Sequence, residues 1–119
     1  MKTILFIEDE PTLQKEIGRY LEEEYEIISA LDGEEGIEVA REKKPQLILL
    51  DLILPKKDGF EVLEEIKQDE ELKDIPVIVF TNLEGSDEVQ KALSLGAESY
   101  LIKANYDLEE VRQKIENNL

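Results

Sequence analysis

The chain contains no cysteine and no histidine. Without cysteine there is no disulfide framework, no thiolate metal site and no cysteine nucleophile. Without histidine the commonest general base and metal ligand is missing. Any metal must therefore rest on oxygen ligands, which points to hard ions such as Mg²⁺, Ca²⁺ or Mn²⁺. Positive charge is also scarce: 14 Lys and Arg stand against 30 Asp and Glu, for a net charge of -16. Such a surface repels phosphate backbones and anionic lipid, so neither nucleic acid nor membrane is expected as a direct partner. Long apolar runs are lacking too. The opening MKTILFIEDE reaches acidic residues after a few apolar ones, which is neither a signal peptide nor a membrane span. With no cysteine as well, the expected location is cytoplasmic.

What is present is a charged shell around an ordinary core. Hydrophobic residues make up 41% and charged residues 37% of 119 positions, which fits one globular domain over residues 1–119. Short runs rich in Ile, Leu, Val and aromatics predict strands over Thr3–Ile7, Glu26–Ala30, Leu47–Leu52, Val77–Phe80 and Ser99–Ile102. The first, third and fourth lack alternation, as expected of parallel strands covered on both faces. Helical patterns lie between them. Leu13, Ile17 and Leu21 recur four apart behind Pro11, with Gly18 costing that helix about 1 kcal/mol relative to Ala. Asp32 and Asp58 each open a helix with Glu three places on. Ser86 is expected to cap the fourth helix, with Val89, Ala92 and Leu93 inward and Gly96 as a left-handed stop. Asp107 starts the last, with Leu108, Val111 and Ile115 inward. Strict β/α alternation predicts an α/β fold: a doubly wound, five-stranded parallel sheet of order 2-1-3-4-5 with five helices, flavodoxin-like, its switch point between strands 1 and 3.

Ligands of such sheets bind beyond the carboxyl ends of the strands. There the sequence places Glu8-Asp9-Glu10 after strand 1, Asp51 near the end of strand 3, Thr81-Asn82 after strand 4 and Lys103 after strand 5. Three packed carboxylates, Glu8, Asp9 and Asp51, repel each other and recruit a cation, and with no His or Cys a hard divalent ion is the natural one. Lys103 adds a fixed positive charge and Thr81 a hydroxyl, a combination suited to a transferring phosphoryl group with Asp51 as the acyl-phosphate nucleophile. Singly, each residue has a plainer reading as a helix cap, a solvated turn or a surface lysine. Jointly, complementary groups at the ends of strands 1, 3, 4 and 5 point to one site.

The stretches ILFIEDE, LILLDLILPKKDG, VIVFTN and GAESYLIK, and the spacing from Asp51 to Pro55 and Asp58-Gly59, resemble the receiver domain of bacterial two-component response regulators over essentially the whole chain. The resemblance implies a stand-alone phosphorylation switch in which Asp51 accepts a phosphoryl group from a phosphohistidine. The donor would be a sensor histidine kinase or a histidine phosphotransfer protein. It implies Mg²⁺, with Mn²⁺ as an alternative, on Asp9, Asp51 and the carbonyl of Ile53, with Glu8 helping directly or through water. Lys103 would pair with a phosphoryl oxygen. Thr81 would hydrogen-bond the group while Tyr100 swings inward, reshaping the helix 4–strand 5–helix 5 face for a downstream protein or a phosphorylation-dependent homodimer.

The sequence departs from that family at three places. Ala104 stands where a cis-proline usually follows the lysine, so the Lys103–Ala104 bond is expected to be trans or strained. Asn82 replaces a small residue, and Glu8 reaches about one methylene further than Asp. Ile53 and Leu83 flank the expected phosphoryl position and exclude water, which implies slow self-dephosphorylation. Three other functions compete with this one. A haloacid-dehalogenase-like, Mg²⁺-dependent aspartyl-phosphate phosphatase would want an acid where Ile53 stands. A flavodoxin or dinucleotide binder would want a Gly-rich phosphate loop after strand 1. A non-phosphorylated pseudo-receiver scaffold stays open through Asn82 and Ala104.

Overall fold

The computed structural model describes residues 1–119, the side chain of Asn105 excepted. Five strands, β1 (Lys2–Ile7), β2 (Tyr25–Ala30), β3 (Leu47–Leu50), β4 (Val77–Thr81) and β5 (Ser99–Ile102), alternate with five helices. The helices are α1 (Pro11–Leu21), α2 (Gly33–Lys43), α3 (Gly59–Gln68), α4 (Ser86–Ser94) and α5 (Leu108–Asn117). All strand pairs are parallel, in the order β2-β1-β3-β4-β5. This is the doubly wound fold read from the alternation.

The period-2 geometry of the strands divides the core in two. Leu5, Ile7, Ile48, Leu50, Val77 and Val79 point toward α2, α3 and α4, where they meet Ile37, Ala40, Val62, Leu63, Ile66 and Ala92. Ile4, Phe6, Leu47, Leu49, Ile78 and Phe80 point toward α1 and α5, against Leu13, Ile17, Leu21, Val111 and Ile115. An edge-on contact of Phe80 with Tyr106, ring centroids 5.2 Å apart, closes that layer beside α5. Because both faces are covered, β1, β3 and β4 are apolar almost throughout.

Local chemistry sets the helix starts. The side chains of Asp32 and Asp58 accept from the backbone N–H of Glu35 and Glu61, at 2.8 and 3.0 Å, and Asp107 accepts from Glu109 at 2.8 Å. Gly96, at φ 112°, ends the fourth helix as expected. Three expectations change. Ser86 does not cap α4; Gly85 holds the cap position, because the Gly85 carbonyl already accepts the first helical bond, from Val89 at 3.1 Å. Leu93 does not face inward but is 46% exposed, since α4 meets the sheet along the narrow line of Ala92. The third strand ends at Leu50, not Leu52. Asp51 N–H makes the last ladder bond, to Ile7 at 3.0 Å, and the carbonyl of Leu52 turns away to accept from Gly59 at 2.9 Å.

Gly59 is required by that turn, because a Cβ there would collide with the Asp51 carbonyl and the Cα of Leu52. Gly18 has no such reason: a Cβ would meet nothing within 4 Å. Gly59→Ala is expected to lower stability by at least about 3 kcal/mol, and Gly18→Ala to raise it by about 1 kcal/mol, in urea-unfolding midpoints. Equal effects of the two substitutions would contradict this packing.

Candidate functional site

The register of the parallel ladder brings the carboxyl ends of β1, β3, β4 and β5 to one edge of the sheet. Glu8 follows β1 and is fully buried, Asp51 follows β3 and is buried, Thr81 ends β4 buried, and Lys103 opens a single 3₁₀ turn after β5. Asp9 is exposed beside Glu8. Single carboxylate oxygens of Glu8, Asp9 and Asp51 all lie within 4.8 Å of one another. The Nζ of Lys103 reaches between them, 2.8 Å from Asp51 Oδ2 and 2.6 Å from Glu8 Oε1. The backbone N–H of Ile53 donates to Asp51 Oδ1 at 3.2 Å, and that of Glu10 to Glu8 Oε2 at 3.1 Å.

The charges do not balance. Three carboxylates stand beside one ammonium, which pairs with Glu8 and Asp51, and its hydrogen bond is aligned on Asp51. Glu8 Oε1 has the ion contact but no hydrogen bond of acceptable geometry, and it is buried. Burial, reinforced by the negative charge of Asp51 and only partly offset by Lys103, pushes the Glu8 carboxyl up to about 7. Burial pulls the Lys103 ammonium down, but its hydrogen bond to Asp51 and ion contact with Glu8 outweigh this and hold it above the ordinary lysine value. A buried, unsatisfied carboxylate oxygen beside two more carboxylates, with no nitrogen or sulfur ligand at hand, fits a hard divalent cation on Glu8, Asp9 and Asp51.

No peptide bond among the described residues is cis, so Lys103–Ala104 is trans. The lysine reaches Asp51 nonetheless: the 3₁₀ turn at Lys103 aims its side chain back over the strand ends. Ile53 is 54% exposed at the rim, and Asn82 is exposed as well. Tyr100 is half-buried, and its hydroxyl already donates to the carbonyl of Leu83 at 2.8 Å, tying β5 to the loop after β4. The N–H of Leu83 leans on Thr81 Oγ1 at 3.5 Å. One buried polar residue near the site escaped the sequence reading. Gln14 sits on α1 with its amide Nε2 3.0, 3.1 and 3.2 Å from the carbonyls of Phe6, Glu8 and Ala30. Its signal was its position three and seven residues before Ile17 and Leu21, on the face that packs inward.

Fold and site together define a doubly wound α/β domain with an acidic, lysine-braced pocket at its topological switch point. The response regulator receiver domain model matches residues 4–116, and the chain belongs to that family, which serves phosphorylation-dependent two-component signalling. It is 37% identical over 116 residues to the DNA-binding dual master transcriptional regulator RpaA of Synechocystis sp., covering 97% of this chain and 48% of that protein. It is 39% identical over 128 residues to the response regulator Rcp1 of Synechocystis sp., covering 98% and 87%. The crystal structure of the Mn²⁺-bound form of response regulator Rcp1 superposes with a TM-score of 0.84 at 35% identity, over 98% of this chain and 91% of that one. The chain spans about half the length of several curated relatives, RpaA among them. No helix among the described residues is long and apolar enough to cross a membrane.

The raised Glu8 carboxyl has a signed consequence. Between the ordinary value of 4.5 and about 7, the folded chain holds a proton that the unfolded chain has released. Stability contributed at this position is therefore present below pH 4.5 and lost as pH rises through 7. In metal-free buffer, the fall in stability from pH 5 to pH 8 is expected to be steeper in the wild type than in Glu8→Gln, by on the order of 2 kcal/mol. Parallel profiles from thermal melts would show that Glu8 is not the source.

Proposed function

We propose that the chain is a phosphorylation switch in which Asp51 takes a phosphoryl group from the phosphohistidine of a sensor histidine kinase or a histidine phosphotransfer protein. A carboxylate oxygen of Asp51 attacks phosphorus, the P–N bond breaks and the imidazole leaves with its electron pair. The observation that supports this most is the position of Asp51: buried, hydrogen-bonded by Lys103 and by the N–H of Ile53, and within 4.8 Å of two further carboxylates. Lys103, already drawn to Asp51, is placed to neutralise a phosphoryl oxygen. Glu8, Asp9 and Asp51, with the carbonyl of Ile53, would hold Mg²⁺ or Mn²⁺. When bound, the ion offsets the repulsion between the carboxylates and the incoming phosphoryl oxygens.

The switch would run through Thr81. Its hydroxyl oxygen now accepts from the N–H of Leu83, whose carbonyl accepts from the Tyr100 hydroxyl. A phosphoryl oxygen accepting the O–H of that hydroxyl would draw Thr81 inward and pull its oxygen away from the Leu83 N–H, disturbing Leu83. The change would pass to Tyr100 and to the face of α4, β5 and α5, where a downstream protein or a second copy would bind. With 30 acidic and 14 basic residues, that partner's complementary surface is expected to be basic.

Incubation with Mg²⁺ and acetyl phosphate, followed by intact mass measurement, is expected to show one added phosphoryl group. The adduct should be absent in Asp51→Asn and strongly reduced in Lys103→Ala. No adduct on the wild-type chain would count against the switch. Ile53 and Leu83 offer no group to orient an attacking water, so the adduct should be long-lived. In acid-quenched decay, the double substitution Ile53→Asn with Leu83→Glu is expected to shorten its half-life about tenfold or more. An unchanged half-life would overturn the water-exclusion reading.

A further inference from the structure

We infer that Gln14 is a positioning residue for the metal-binding carboxylates: its side-chain amide fixes the peptide plane that carries Asp9. The inference rests on the metal-site reading above. Asp9 is exposed, and its side chain has neither hydrogen bond nor ion pair among the described residues. Its place beside Glu8 and Asp51 is therefore set by the backbone. The peptide unit joining Glu8 to Asp9 is planar, so fixing the Glu8 carbonyl fixes the line on which the Asp9 Cα lies.

That carbonyl stands beyond the last residue of β1 and accepts no backbone N–H among the described residues. Gln14 Nε2 binds it at 3.1 Å. The peptide on the other side of Glu8 is held as well, its N–H donating to the Ala30 carbonyl at 2.9 Å. Ala30 is in turn bound by the same Gln14 amide at 3.2 Å, and Phe6 at 3.0 Å. One amide thus pins the ends of two strands around the residue that precedes Asp9.

Its orientation is not free. Gln14 Oε1 accepts from the hydroxyl of Ser29 at 2.9 Å, which leaves Nε2 facing the three carbonyls. The reverse orientation would set oxygen against oxygen three times over. The amide is also neutral, so it orders the turn without diluting the negative field that attracts a cation. A buried Gln on an otherwise apolar helix face needs such partners, since burial without them costs free energy.

The experiment is Mn²⁺ binding followed by the electron paramagnetic resonance signal of the free ion, at a temperature where every variant is folded. Gln14→Met keeps length and loses the bonds; Ser29→Ala leaves the amide but frees it to turn. Ile17→Val, buried on the same helix, is the control for a general loss of stability. Gln14→Met is expected to weaken Mn²⁺ binding about tenfold, Ser29→Ala about threefold, and Ile17→Val less than twofold. A wild type with a saturable site and a Gln14→Met variant within twofold of it would overturn the inference and leave the metal site standing. A wild type with no saturable Mn²⁺ site would overturn the metal-site reading itself, and this inference with it. If Gln14→Met fails to fold, Ser29→Ala decides: unchanged affinity there rejects the positioning role.

Discussion

The ammonium of Lys103 lies 2.6 Å from Glu8 and 2.8 Å from Asp51, so the ends of β1, β3 and β5 converge on one positive charge. Two buried carboxylates facing each other without it would be costly, since truncating one member of a buried ion pair typically destabilises by about 3–5 kcal/mol. The arrangement does not minimise energy in the free chain. One cation pairs with two of three clustered acids, a carboxylate oxygen of Glu8 is left without a hydrogen bond, and the Glu8 proton is held far above its ordinary range. A well-packed apolar rim would be more stable. In the switch proposed for this chain, that deficit of positive charge is what would let the rim hold a divalent ion and an anionic phosphoryl group together.

The rest of the molecule can be read as support for that rim. The five parallel strands run to it in one direction, and two apolar layers hold them rigid from both sides. Gly59 lets the chain after Asp51 turn tightly enough to keep the carboxylate pointing outward from the sheet end. Gln14 and Ser29 anchor the opposite flank, at the turn after β1. Thr81, Leu83 and Tyr100 form a single hydrogen-bonded path from the rim to β5. The carbonyls of Glu8 and Leu83 that these polar contacts engage lie just beyond the ends of β1 and β4, where backbone groups lack ladder partners.

Much of the fold could be read before any coordinates. The apolar runs of β1, β3 and β4 and the four-residue spacing of Leu13, Ile17 and Leu21 carry their structure in local patterning. Asp32 and Asp58 carry their helix starts in a hydrogen bond three residues long. What failed was local too. Ser86 looked like a cap, but the Gly85 carbonyl had already opened the helix; Leu93 looked inward-facing, but only Ala92 fits the narrow contact of α4. Leu52 read as strand because it is apolar, whereas its carbonyl is taken by Gly59 across the turn. At the rim, residue types were legible and distances were not.

The sequence by itself determined the alternation of elements, hence the parallel sheet and the edge where Glu8, Asp9, Asp51, Thr81 and Lys103 gather. These follow from periodicity and from the chemistry of carboxylates in a chain with no histidine or cysteine. Only the tertiary structure decided that a trans-linked Lys103 reaches both acids, that Glu8 is the unsatisfied one, and that Gln14 grips the carbonyl before Asp9. Those facts depend on ångström-scale meetings of residues from β1, β2, α1 and β5, and no pattern along one segment encodes the distance to another.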